Sequence, residues 1–237
     1  MATTVAGRAK PLRMITRSTH LAALAPALAL IGCYQPEPEF TQMGERQSEF
    51  FAALSSHCGK AFAGRLVSED AADTDFVEAP MVMHVSECSE ERIAVPFHVG
   101  LANDDGETEW DRSRTWLITR TETGLRLKHD HRHEDGEPDA VTMYGGDTAS
   151  TGSANKQDFP VDQFSIDLFE REGLTASVTN VWSVEVDPAG ADNGVFAYQL
   201  ERTLEGGAPE PRFFRVEFDL TTEVEAPPPA WGWKAAP

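Results

Sequence analysis

Cysteine and basic residues are scarce in this chain of 237 residues, which has three Cys and 20 Lys and Arg against 39 Asp and Glu. Three cysteines are too few for a disulfide-dense scaffold or a four-thiolate zinc site. A formal net charge of −19 repels phosphate backbones and anionic headgroups, so nucleic-acid binding is excluded. Long apolar runs are missing as well. The strongest, residues 21–31, would rise only about 16 Å as a helix, against a hydrocarbon core of about 30 Å, and cannot be a stable transmembrane span. The patterns GxSxG, HExxH and GxGxxG are absent, as is any pair of CxxC motifs, so nothing points to a serine hydrolase elbow, a zincin or a dinucleotide site.

What is present begins with a leader. Arg8, Lys10, Arg13 and Arg17 precede the apolar run with no acidic residue among them, and Gly32 and Cys33 follow it, the order of a secretory signal. Met14 would also serve as a start and would keep Arg17. Leu30, Ile31, Gly32 and Cys33 resemble the lipobox of bacterial lipoproteins. That resemblance covers the leader alone. It implies cleavage before Cys33, diacylglycerol on the Cys33 thiol and a protein anchored by lipid on a membrane. Acyl chains worth about 0.8 kcal/mol per buried methylene make release very slow. Tyr34, where an aspartate would signal retention at the inner membrane, implies the outer membrane with the domain facing the periplasm. An ordinary secretory signal followed by a chance cysteine is the competing reading.

Removing the leader takes away four of the 20 basic residues and none of the 39 acidic ones, leaving 16 against 39, a formal −23. Solubility or a saline habitat accounts for such acidity, and an acidic metal-collecting surface is the alternative. Cys58 and Cys88 remain after Cys33, and in an exported chain they are expected to form a disulfide. Closing a loop of about 30 residues would contribute between about 3 and 4.7 kcal/mol. His57 and Lys60 beside Cys58 keep a reactive thiol open as the other reading.

Two prolines and no periodicity in residues 34–44 suit a tether, and residues 45–58 then place Phe50, Phe51, Leu54 and Cys58 on one helical stripe, with Gly59 as a C-cap. After Gly64 the period becomes two. Met81, Met83 and Val85 and then Ile93, Val95, Phe97 and Val99 give a first hairpin, and residues 114–121 with 124–133 a second. Further faces are Val178, Trp182, Val184 and Val186, then Phe196, Tyr198 and Leu200, then Phe214, Val216, Phe218 and Leu220, with weaker strands near Arg65, Val141 and Phe164. These half-buried alternations predict a mainly β domain over 45–225, an antiparallel meander of about eight to ten strands closing wholly or partly into a barrel, with one N-terminal helix. Residues 148–156 read as a polar loop. The tail 226–237 places its tryptophans, Trp231 and Trp233, either back on the domain or on a partner or membrane interface.

The run from Leu125 to Gly136 is the richest in candidate chemistry. Continued as a strand it puts Leu125, Leu127, His129, His131 and His133 on one face. Alternate residues lie about 6.6 Å apart, close enough for two or three imidazoles to converge on one zinc or copper ion, with His84 and His98 as further ligands if that face meets them. A solvated rim or a hydrogen-bonded network is the plainer account. Ser153 and Lys156 have the spacing of a penicillin-interacting nucleophile without its companion motifs, Gly145 and Gly146 suit a bulge or turn, and the stretch 131–142 fails the calcium-loop pattern. The phrases FFAALSSHCGKAFAGR, LKHDHRHEDG and TMYGGDT resemble a group of secreted or lipid-anchored proteobacterial proteins with no known activity, which implies a shared domain and no substrate. The expected function is an envelope-accessory module binding a small ligand, a metal or an envelope protein. The alternatives are a metal-dependent hydrolase, with Glu134 or Asp130 as base, and a structural partner protein.

Overall fold

Alternation with period two buries one side of each strand, and in the computed structural model, which describes residues 1–2, 39–102 and 105–233, those sides meet inside a nearly closed barrel. Cys33 and the lipobox lie outside the described residues. The chain divides into two units, Met1–Gln35 and Pro36–Pro237, and all that follows concerns the second.

The elements run α1 (Glu39–Ser55), β1 (Ala61–Leu66), β2 (Met81–His84), β3 (Glu87–Cys88), β4 (Arg92–Ala102), β5 (Thr108–Thr121), β6 (Gly124–His131), β7 (Tyr144–Asp147), β8 (Lys156–Pro160), α2 (Gln163–Arg171), β9 (Val181–Val186), β10 (Val195–Arg202) and β11 (Arg212–Val224). Short 3-10 segments at Ala71–Phe76, kinked at Asp73, and at Thr175–Thr179 complete it. Every neighbouring pair is antiparallel, and the order β7-β6-β5-β4-β2-β1-β11-β10-β9-β8 is a meander whose first and last strands pair, Ala61 opposite Val224. Only the β7–β8 seam lacks a ladder. There the Asp162 N–H donates to the Gly145 carbonyl at 3.0 Å, and the Ser165 hydroxyl bridges the Gly145 N–H (2.7 Å) and carbonyl (3.0 Å). A Cβ at Gly146 would lie 1.7 Å from the Pro160 carbonyl oxygen, so the seam closes only over glycine.

Helix α1 closes one end. Its Gln47 side chain reaches Thr148 Oγ1 (2.7 Å) in the β7–β8 loop, and Arg120 of β5 lies 4.2 Å over the Phe51 ring. Beyond the helix, the ring of His57 meets the Asp187 carbonyl (2.8 Å) in the β9–β10 turn, and Gly59, at φ +81°, turns the chain into β1. Cys58 and Cys88 form the expected disulfide, Cα atoms 6.1 Å apart, so the reactive-thiol reading falls away. Phe50, Phe51 and Leu54 enter the barrel, where they join a buried cluster with Trp182, Phe159, Phe196, Phe218, Met83 and Ile118.

Several expectations need correction. The helix starts at Glu39, so the tether expected over 34–44 is helical in its last residues, and it ends at Ser55 because residues 56–59 must turn toward β1. Phe164 belongs to α2, whose N-cap Asp162 accepts from the Ser165 N–H at 2.9 Å. Val141 precedes β7 in a turn, and Val178 reaches the core from a 3-10 turn and not from β9. The tail packs on the barrel, with the Trp231 N–H on the Arg112 carbonyl (3.0 Å), the Arg112 guanidinium 5.9 Å from the Trp231 ring and Arg92 6.0 Å from that of Trp233.

Candidate functional site

The strand predicted to carry the imidazoles exists, but it does not gather them. Along β6, Leu125, Leu127 and His129 point into the barrel as expected. His129 is 3 % exposed and fully engaged, its Nδ1 3.0 Å from the Tyr144 carbonyl and its Nε2 2.7 Å from the Tyr198 hydroxyl. Since a carbonyl only accepts, Nδ1 carries the proton, and Nε2 accepts from the tyrosine. Burial drives its pKa down to about 3, a fall the Tyr144 carbonyl only partly offsets, so the ring is neutral at pH 7. The ring stacks on Tyr144 at 4.5 Å.

His131, the last residue of β6, lies at the end of the barrel opposite α1. Its Nε2 is 3.1 Å from the Tyr144 hydroxyl, and burial, with help from the Arg114 charge, lowers its pKa to about 4. Burial raises Tyr144 to about 12. His133 lies past the strand, its side chain 59 % exposed and 3.7 Å from the Asp139 carboxylate. His84 and His98 occupy the outer face of β2 and β4, since Met81, Met83, Phe97 and Val99 beside them face the core, so the barrel wall separates them from His129. Buried His98 finds no hydrogen-bond partner for either nitrogen, and burial depresses its pKa to about 4. Among the described residues no group of three His, Cys, Asp or Glu side chains is placed to hold a metal ion. A shared zinc or copper site at His129, His131 and His133 does not fit this arrangement.

The structure instead brings together a short polar relay in the core and a cleft at the mouth. The relay runs from Tyr198 through His129 to the main-chain carbonyl of Tyr144, and a separate hydrogen bond joins the Tyr144 side-chain hydroxyl to His131 at the mouth. At the mouth Arg114, directly opposite His131 in the β5–β6 register, is paired with Asp111. A bulge between Phe97 and Val99 on the β4–β5 ladder re-aims this part of β5. The cleft over these groups has a volume of about 430 Å³, with Trp110, Arg114, His131, Asp139 and Trp231 among its walls. No protein-family model, curated protein or solved structure matches the chain.

Sequence reading found His131 and missed Arg114, Tyr144 and Tyr198. Arg114 had a signal, because it continues the inward alternation of Trp116 and Ile118 with a charge. Tyr198 looked like ordinary core, and Tyr144 was overshadowed by the glycines after it. Those glycines serve the seam. Ser153 donates to Asn155 Oδ1 (2.9 Å) while the Lys156 ammonium pairs with Glu185 (3.1 Å), so the two form no nucleophile and base couple.

Proposed function

We propose that this chain is a lipid-anchored lipoprotein of the outer membrane whose barrel is a binding module, with its ligand seat in the mouth cleft. The observation that carries this reading is the mouth cleft itself, where the paired Arg114 and Asp111 and the His131–Tyr144 hydrogen bond come together at the end opposite α1. Exposed Val77, Leu101, Met143, Phe164, Leu174 and Leu204 all lie on or beside the connections at the mouth, which supports that end as the interacting one. A hydrolase built on three converging histidines has no support among the described residues, where no group of three such side chains is placed to hold a metal ion.

Two measurements test the reading. Fatty-acid labelling and membrane fractionation of the full chain should give a labelled outer-membrane protein, and Cys33→Ser an unlabelled one released from the membrane; an unlabelled parent refutes the anchor. In a fragment screen read by NMR, binders should shift His131 and Arg114 before any other region. Binders confined to other surfaces, or none at all, would refute the seat.

A further inference from the structure

Both guanidinium groups of the mouth cleft are already engaged. Arg114 is paired with Asp111, Arg132 is 3.0 Å from Asp130 and 3.0 Å from the Gly136 carbonyl, and His133 faces Asp139. An anion entering here meets the carboxylates of Asp111, Asp139, Glu109 and Glu134 and must break an existing pair at the cost of desolvating its partner. A cation meets two guanidinium groups, and the carboxylates outside the pairs, Glu109 and Glu134, are exposed and screened by water, so they hold it weakly. A neutral ligand rich in hydroxyls breaks none, because paired guanidinium and carboxylate groups keep spare donors and lone pairs.

Two walls of the cleft are indoles, Trp110 and Trp231. Trp231 is held in place through its backbone bond to Arg112, whose guanidinium lies over the ring. An indole face offers flat apolar area at low entropic cost, which suits the C–H face of a sugar ring. The volume of about 430 Å³ falls within the roughly 300–1,000 Å³ of small-molecule sites.

We infer that the mouth cleft binds an uncharged saccharide, stacked on Trp110 and Trp231 and hydrogen-bonded by the compensated Arg114, Asp111 and His131 cluster. This rests on the binding-module reading, and the test keeps the two apart. The full-length lipidated protein, in a zwitterionic detergent free of sugar, is titrated with three β-1,4-linked tetramers of gluco configuration: cellotetraose, tetraglucuronate and tetraglucosamine. Calorimetry and the NMR shifts of His131 are read together. Cellotetraose should bind at least about tenfold more tightly than either charged tetramer, and Trp231→Ala should weaken it about tenfold. Trp110→Ala, on β5 and outside the tail, should also weaken it about tenfold and guards against a merely misplaced tail. Preference for a charged tetramer at His131 overturns the ligand class and leaves the module standing. The same holds if no tetramer binds while library fragments still shift His131. If neither tetramers nor fragments reach the cleft, both readings fall.

Discussion

Between pH 7 and pH 5 the barrel should lose a large part of its stability, and His98 should account for a definable share. Its ring is 0 % exposed and has no hydrogen-bond partner, and the charged or titratable groups acting on it are His84, Arg112 and Asp111. Burial lowers its pKa from 6.5 to about 4. The unfolded chain therefore takes up a proton below pH 6.5 that the folded chain refuses, so stability is full above that pH and falls as pH drops toward 4. At pH 5 this difference amounts to about 2 kcal/mol. His129, lowered to about 3, adds a similar amount, and the partly exposed His131 less. The carboxylates with lowered pKa values, among them Asp111, Asp162 and Glu185, begin to cost stability only at lower pH, so the window belongs to histidine. Urea denaturation of the mature chain at pH 7, 6 and 5 provides the assay. His98→Leu removes no hydrogen bond, so it should match the parent at pH 7 and be about 2 kcal/mol less sensitive to acid at pH 5. Parallel pH profiles for the two proteins would refute the argument.

Other perturbations probe the relay, the seam and the staple. Tyr198→Phe leaves the buried Nε2 of His129 without its donor and should lower the free energy of unfolding by about 1–3 kcal/mol in urea. Gly146→Ala drives a Cβ into the Pro160 carbonyl. It should cost at least about 3 kcal/mol, with hydrogen exchange accelerating first in β7 and β8. Cys58→Ser with Cys88→Ser opens a separation of 30 residues and should lower stability by about 3.6 kcal/mol on loop entropy, seen as a lower denaturation midpoint with a steeper slope, because the unlinked unfolded chain exposes more surface.

The barrel was legible because its strands are half-buried, so faces such as Met81, Met83, Phe97 and Val99 announce themselves by alternation. Phe164 misled because one aromatic among polar residues fits a strand as well as a helix, and the deciding signal was the Asp162 cap. The histidine alternation was read correctly as far as His131. Whether the rings converge depends on what each meets across the barrel, and His129 meets Tyr198 from a strand some seventy residues away. His84 and His98 share a face with each other, but no local pattern tells which side of a closed sheet that face is.

The pairing of β1 with β11 has a consequence for how the molecule is made. Until Val224 is available, β1 has a neighbour on one side only, and its bonding edge stays bare while the ten intervening strands and helices accumulate. Vectorial synthesis therefore delivers an open, self-adhesive sheet, and ring closure is the last event, limited by the search of one edge strand for the other.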